Sequence, residues 1–326
     1  MPAYNVEAYI RDCLDSLIQQ SDPCWECLCM NDGSQDGTPA ILQSYSQKDA
    51  RIKVFAQDNQ GLTRTLNTLL AKVDGDYLFF LDSDDCLHPQ AFAILRTIIE
   101  RERVDVAECS ICRVESTPLR CEQILYTDTD YARPIVLSDM SIFLSKKTQK
   151  GFWINKWNKL YRMEKIRDVF FSERLTYEDD YFFASQINTR IEAKALIDLP
   201  LYYYRKNPNG ITGKVNFEKY VSSGINRIQL SYDYFIVGGR VPASYHEDFM
   251  SDLANDAYRM IVQKNLRKCR SFRLRRRLFS QASAAICNYT GEGVIQSSYL
   301  KPAKRLTLWF CKHNWFWPAQ LTVFLS

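Results

Sequence analysis

Hydrophobic positions in the first hundred residues switch repeatedly between a helical period and short continuous runs. Val6, Ile10, Leu14, Leu17 and Ile18 fall on one stripe, which predicts an amphipathic helix over residues 6–20. Glu26 to Met30 is a short apolar run leading into Asn31-Asp32-Gly33-Ser34, a strand that leaves into a turn. Pro39 to Tyr45 predicts a helix, Ile52 to Ala56 a strand, and Leu62 to Val73 a helix closed by Asp74-Gly75-Asp76. Tyr77 to Leu81 is a hydrophobic run of strand length ending at Asp82; Pro89 to Glu100 is helical in period, and Val104 to Val114 is strand-like. Uninterrupted apolar strands alternating with helices predict an α/β fold with a parallel sheet buried on both faces. Ligands of such sheets bind beyond the carboxyl ends of the strands. Asp32 and the Asp82 to Asp85 turn both sit at such ends.

The later chain is patterned differently. Residues 115–150 have no clear period, and from Trp153 through Ile211-Thr212-Gly213 the chain is aromatic and charged. Beyond about residue 214 it turns helical, with a basic stretch at Lys264 to Arg277 and an aromatic tail from Leu306. A chain of 326 residues exceeds the usual single core. The expected division is a catalytic domain over 1–213 and a helical, basic and aromatic appendage over 214–326.

Composition narrows the class. With 46% hydrophobic and 25% charged residues the chain is expected to fold as a soluble protein, and a net charge of +4 is too mild to indicate nucleic acid. Eleven cysteines is an odd number for a secreted disulfide framework, and the opening Met1-Pro2-Ala3-Tyr4-Asn5 has no signal-peptide pattern. No apolar run reaches the roughly 18 residues of a membrane span, so a reducing, cytoplasmic setting is expected. Cys24-x-x-Cys27-x-Cys29 and Cys109-x-x-Cys112 invite a zinc reading. Strand alternation puts residues three apart on opposite faces, so these are expected to be free thiols. His88, His246 and His313 are scattered.

Asp82-x-Asp84 at a strand end suits Mg2+ or Mn2+, which prefer carboxylates, water and phosphate oxygens and need no all-protein cage. A cation bridging a diphosphate makes it a better leaving group. Short acidic patterns are common by themselves. Here the pattern has company: Pro2-x-Tyr4-Asn5, Asn31-Asp32-Gly33-Ser34-x-Asp36-Gly37, and Gly61-Leu62 followed by Asn67 precede Asp82-Ser83-Asp84-Asp85 in order. In this ordered set the sequence resembles the family 2 glycosyltransferases of bacterial surface-glycan type, inverting enzymes of the GT-A fold. The resemblance is close over residues 2–100. It continues through Asn158-Lys159-Leu160-Tyr161-Arg162, Tyr177-Glu178-Asp179, and Tyr203-Tyr204-Arg205 with Ile211-Thr212.

The resemblance implies a central mixed, mostly parallel sheet flanked by helices, and roles for individual residues. Pro2, Tyr4 and Glu7 would line a nucleobase pocket, and Asp32 would bond the base or ribose. Asp82 would lie near ribose and metal, Asp84 would ligate the metal, and Arg205 and Thr212 would touch the diphosphate. In the Glu178-Asp179 pair, Asp179 would be the general base toward the acceptor hydroxyl. The residues agree with such a base: the acidic cluster is flanked by Tyr177 and Tyr181-Phe182-Phe183, where desolvation raises a carboxyl pKa. Thr176 as N-cap with acidic residues in the first helical turn is the structural alternative. The implied reaction is inverting transfer of a hexose or N-acetylhexosamine, from a UDP-type donor to a hydroxyl of a surface polysaccharide or lipid-linked glycan.

Two departures stand out. Relatives usually carry an apolar strand before Pro-x-Tyr-Asn, whereas Met1 directly precedes Pro2, so the expectation is that the natural chain starts upstream. Leu66 stands where many relatives have Arg before Asn67, with Arg64 nearby. In the appendage, Arg267, Lys268, Arg270, Arg273 and Arg275 to Arg277, with Lys301, Lys304 and Arg305 beside Trp309, Phe310 and Trp315-Phe316-Trp317, suit an interfacial surface on anionic lipid. Peripheral attachment to the inner face of the membrane is therefore expected. Rival readings are a nucleotidyltransferase of similar topology, for which Pro2 to Glu7 lacks the Gly-rich basic loop, and a non-catalytic binding or assembly protein on the same fold.

Overall fold

The computed structural model describes residues 1–115, 125–138, 155–211, 216–260 and 271–285, with 306, 309, 310, 313 and 319. In chain order its elements are Pro2–Ala3 (β1), Ile10–Ile18 (α1), Cys27–Asp32 (β2), Thr38–Lys48 (α2), Ile52–Gln57 (β3) and Leu62–Leu70 (α3). Tyr77–Phe79 (β4), Cys86–Leu87 (β5), Ala91–Arg101 (α4), Val106–Val114 (β6), Ile135–Leu137 (β7) and Lys159–Arg162 (β8) follow. Asp179–Asn188 (α5), Lys194–Arg205 (β9), Phe217–Ser231 (α6), His246–Tyr258 (α7) and Phe272–Ala285 (α8) complete the set.

Two compact units are present. The first comprises 1–139, 149–171 and 190–214, and the second 140–148, 172–189 and 215–326.

In the first unit the predicted helix-strand alternation is realised, with one shift at its start. The helix expected from residue 6 begins at Ile10, where the stripe Ile10, Cys13, Leu14 and Leu17 is buried. A turn precedes it, with Tyr9 N and Ile10 N both donating to Val6 O at 2.9 Å, and the segment before is tied to the neighbouring loop by Val6 N on Thr38 Oγ1 at 2.9 Å and Glu7 N on Asp36 Oδ2 at 3.1 Å.

The sheet differs from expectation in two ways. It is divided into a parallel β1-β2-β3 sheet and a larger one ordered β4-β8-β6-β9-β5, with β7 on β9. In the larger sheet β6 and β9 run parallel while β5, β7 and β8 pair antiparallel with their neighbours, so the parallel sheet read from the apolar runs is a mixed one, as the GT-A resemblance implies. The break lies between β2 and β4. A cavity of about 940 Å³ opens there, lined by Leu28, Leu66, Leu69, Tyr77, Phe79 and Leu160 among others. Pro2 and Ala3 pair with Met30 and Asn31 at one end of β2, and the Met1 amine donates to Leu28 O at 2.8 Å.

In the second unit, Phe182 of α5 packs with Val221, Ile225 and Ile228 of α6, Phe249 and Leu253 of α7, and Leu278 and Phe279 of α8. This apolar face of four helices is the unit's core. Among the described residues no helix is long and apolar enough to cross a membrane.

Candidate functional site

Two loops leave the parallel strands of the first unit side by side and lock together. Asn5, at φ 50, donates its amide to Ser34 Oγ at 3.0 Å and accepts Gln35 N on Oδ1 at 2.8 Å. Ser34 N donates in turn to Asn31 Oδ1 at 3.1 Å, and the Glu7 carboxylate accepts Gly37 N. Asp36 accepts Thr38 N at 3.0 Å on Oδ1; burial raises its carboxyl, but the hydrogen bonds from Thr38 and Glu7 outweigh it and hold the group below its usual value. Gly33 has φ 73, and a Cβ there would lie 2.7 Å from Asn59 N, so only glycine fits.

Asp32, at the end of β2, is buried. Its Oδ1 accepts Gln57 Nε2 at 2.7 Å and Gln60 N at 2.9 Å, and its Oδ2 accepts Gly61 N at 2.9 Å. It thus fixes the turn into α3, whose first residue follows Gly61 at φ 85. Pro2 is in β1, and Tyr4 beyond it is half exposed. The structure therefore brings Tyr4, Glu7 and Asp32 onto one pair of interlocked loops, with Asp32 serving the loops themselves.

The Asp82 to Asp85 turn follows β4 and is closed by Asp85 N donating to Asp82 O at 3.1 Å. Asp85 points inward, accepting Tyr202 OH at 2.6 Å and Arg205 N at 2.7 Å. Asp84 Oδ2 accepts Asn207 Nδ2 at 2.8 Å, and its carbonyl accepts Arg205 Nε at 2.9 Å. Asp82 lies 3.5 Å from the buried Lys156 Nζ. Burial, and then the Asp82 charge, push the Asp84 carboxyl above its usual range, against opposing pulls from Asn207 and Arg205. Asp85 is pushed up to about 8, by burial and then by Asp82 and Asp84.

Three carboxylates are crowded into one turn, and two of them have pKa values raised first by burial and then by the charge of neighbouring carboxylates. The turn's exposed donors are oxygens, the set a hard divalent cation prefers. Among the described residues no group of three or more His, Cys, Asp or Glu could hold a metal alone. Asp82 and Asp84 fit a cation whose remaining ligands come from substrate phosphate and water, as such cations commonly bind.

The predicted diphosphate contact Arg205 is buried at the end of β9, its guanidinium donating to Asp12 Oδ2 at 2.8 Å and lying over the Tyr9 ring. Its Nε on the Asp84 carbonyl and its amide on Asp85 Oδ1 hold the acidic turn in place. Thr212 lies outside the described residues. Three partners escaped sequence reasoning: Lys156, Asn207 and Tyr202. Lys156 sits two residues before Asn158, Asn207 two after Arg205 and Tyr202 one before Tyr203, so each lies beside a motif rather than within it.

In the second unit Glu178 is the N-cap of α5 in the left-handed region (φ 64, ψ 14), with Asp179 and Asp180 in the first turn. The N-cap is thus Glu178 rather than Thr176. Glu178 Oε1 accepts Tyr220 OH at 2.9 Å, and Oε2 accepts Arg227 Nε at 3.2 Å and Arg259 at 3.0 Å. Burial raises its carboxyl, but the two arginines and Tyr220 together hold it below the usual range, opposite to the rise expected for this cluster.

Cys13, Cys24, Cys27, Cys29, Cys86, Cys109 and Cys112 form no disulfide, and five of them are buried.

Known proteins place this architecture. The Glycosyl transferase family 2 profile matches residues 1–170. The uncharacterised glycosyltransferase EpsJ of Bacillus subtilis is 30% identical over 214 residues, 65% of this chain and 61% of that protein. Glycosyltransferase GlyA of Streptococcus pneumoniae is 31% identical over 209 residues, 63% of this chain and 30% of that protein. This chain therefore spans less than two thirds of the length of either relative. The crystal structure of S. aureus TarS 1–349 shares the fold, with a TM-score of 0.73 at 17% identity, over 99% of this chain and 88% of that one. The fold is GT-A. The chain belongs to glycosyl transferase family 2.

Proposed function

We propose that the chain is an inverting glycosyltransferase that moves a hexose or N-acetylhexosamine from a UDP-sugar to a hydroxyl of a cell-surface polysaccharide or lipid-linked glycan. The observation that carries this reading is the acidic turn after β4, where Asp82 and Asp84 stand together at a strand end with Asp84 oriented by Asn207 and Arg205. TarS, whose fold is shared, is described in complexes with UDP and with UDP-GlcNAc, which favours a UDP-type donor.

In this reading Pro2, Tyr4, Glu7 and Asp32 form or support the nucleoside pocket. Asp84 and Asp82 hold Mg2+ or Mn2+, which neutralises charge on the departing diphosphate when bound. Arg205 keeps the Asp84 turn in place, and Thr212 contributes to diphosphate binding. Asp179 accepts the proton of the acceptor hydroxyl. The new bond forms from that oxygen to the anomeric carbon, the carbon–phosphate-oxygen bond breaks, and its electron pair leaves with UDP.

The enzyme would act at the inner face of the membrane, with the basic residues around α8 toward anionic lipid. The test is Mn2+-dependent hydrolysis of a panel of nucleotide sugars by the whole chain. Wild type should hydrolyse a UDP-sugar, and Asp84→Ala and Asp179→Asn should each abolish it. Undiminished hydrolysis by both variants would exclude this function.

A further inference from the structure

The Glu178–Asp179 pair contains one residue that its surroundings remove from proton transfer. Glu178 has both carboxylate oxygens engaged by cationic or hydroxyl donors: Tyr220 on Oε1, Arg227 and Arg259 on Oε2. A carboxylate held charged by two arginines is a poor base. It is also the residue whose backbone is in the left-handed region that non-glycine residues avoid. Such a conformation persists where surrounding bonds over-determine it.

Those bonds come largely from one helix face. Tyr220, Ser223 and Arg227 are spaced three and four apart on α6, so they line a single stripe. Ser223 Oγ accepts Thr176 N at 3.1 Å and Tyr177 N at 3.0 Å, and donates to Tyr177 O at 2.5 Å. Tyr220 and Arg227 take Glu178. Arg227 is fully buried and lies 4.2 Å from the centre of the Tyr181 ring, in the first turn of α5. Its other nitrogen donates to Asp256 Oδ2 at 2.6 Å on α7, and Asp256 also pairs with Arg259 at 3.5 Å. Residues on both sides of Asp179 are therefore fixed, from Thr176 to Glu178 before it and at Tyr181 after it.

From this arrangement we infer that Tyr220, Arg227 and Arg259 are positioning residues that act through Glu178 to set Asp179 in its reactive orientation. The inference rests on the proposal that Asp179 is the base, and it moves Glu178 from catalysis to anchorage.

The experiment uses the full chain and the nucleotide sugar that wild type hydrolyses fastest with Mn2+. Glu178→Gln, Arg227→Lys, Arg227→Met and Tyr220→Phe are compared with Asp179→Asn. Misplacing a reacting group by about 1 Å can slow catalysis roughly 100-fold. The expected result is a kcat lower by about 10–100-fold for Glu178→Gln and Arg227→Met, with Arg227→Lys retaining more than Arg227→Met. KM for the donor and the calorimetric affinity for UDP should stay within about twofold of wild type, because the clamp positions the base and leaves donor binding alone.

Tyr220→Phe removes one hydroxyl and leaves the ion pairs, so it decides the matter if the arginine variants do not fold. It should lower kcat about three- to tenfold while the melting temperature falls by only about 1–6 °C. Wild-type kcat in folded Tyr220→Phe and Glu178→Gln would overturn the clamp while leaving the function intact. Full activity in Asp179→Asn would instead overturn the assignment of the base, and the clamp with it.

Discussion

Asn207 donates its side-chain amide to Asp84 Oδ2 at 2.8 Å, two residues beyond the arginine whose Nε holds the Asp84 carbonyl at 2.9 Å. One short stretch after β9 therefore fixes both the carboxylate and the backbone of the proposed metal ligand. Groups that orient a ligand in this way typically carry 10–100-fold in metal affinity or activity. Asn207→Ala is expected to raise the Mn2+ concentration needed for half-maximal UDP-sugar hydrolysis by about 10–100-fold. A Mn2+ titration identical to wild type would show that Asp84 needs no such support.

Gly33 carries φ 73 and faces Asn59 N across 2.7 Å of the space a Cβ would need. Gly33→Ala combines a left-handed conformation, costing about 1–2 kcal/mol, with overpacking against backbone that cannot swing away, about 1–3 kcal/mol. The variant should lose about 2–5 kcal/mol of stability, which is a fall of roughly 4–20 °C in Tm for a unit of this size. The same loop is bonded to Asn5 through Ser34, so KM for the donor should rise as well. A thermal scan and a donor titration of one variant check both.

Glu178 contributes an acid-sensitive part of the stability. Burial raises its carboxyl, yet Arg227, Arg259 and Tyr220 leave it below the ordinary glutamate value. The folded state therefore binds this proton less readily than the unfolded chain. The resulting stabilisation is complete above the unfolded value, about pH 4.3, and is lost as the pH falls through the lower folded value. Urea midpoints followed from pH 7 to pH 3 should drop across that window in wild type. Glu178→Gln should already be weaker at pH 7, by the roughly 3–5 kcal/mol that breaking a buried ion pair costs, and should show a shallower acid limb. Parallel acid limbs in the two proteins would refute the assignment.

What the sequence made legible was the local alternation in the first hundred residues and the turns at strand ends. Each of those strands and helices carries its own period, and Asp32 and Asp82 to Asp85 lie where the run of apolar residues stops. Pairing direction was not legible. β8 is the four residues Lys159–Arg162, too short and too polar to announce a strand, and it alone makes β4 antiparallel. The partners of the acidic turn were hidden for a different reason. Tyr202 and Asn207 are over 110 residues from Asp85 and Asp84, and only the β5–β9 pairing of Cys86 with Tyr203 brings them together. The clamp on Glu178 did leave a trace, Tyr220-x-x-Ser223-x-x-x-Arg227, but helix spacing alone does not say what a polar stripe grips.

The basic stretch around α8 yields the last test. Residues 264–270 and 301–305 lie outside the described residues, and α8 carries the basic side chains that are described. Leu278 and Phe279 are buried in the second unit's core, while Arg273, Arg276 and Arg277 are exposed; Arg277 pairs with Glu218. With Leu278 and Phe279 taken up by the core, α8 keeps the exposed Phe272 as an apolar side chain for lipid, so attraction to a membrane would be chiefly electrostatic. Each basic residue near an anionic surface contributes about 1 kcal/mol, and salt screens the effect within about 8–10 Å. Arg273→Glu with Arg276→Glu should weaken sedimentation with phosphatidylserine vesicles by at least about 30-fold in the partition coefficient at 0.1 M salt. Wild-type binding should itself fall steeply as salt is raised. Salt-insensitive binding, unchanged in the double variant, would point to insertion of apolar side chains elsewhere in the chain and would remove α8 from the membrane contact.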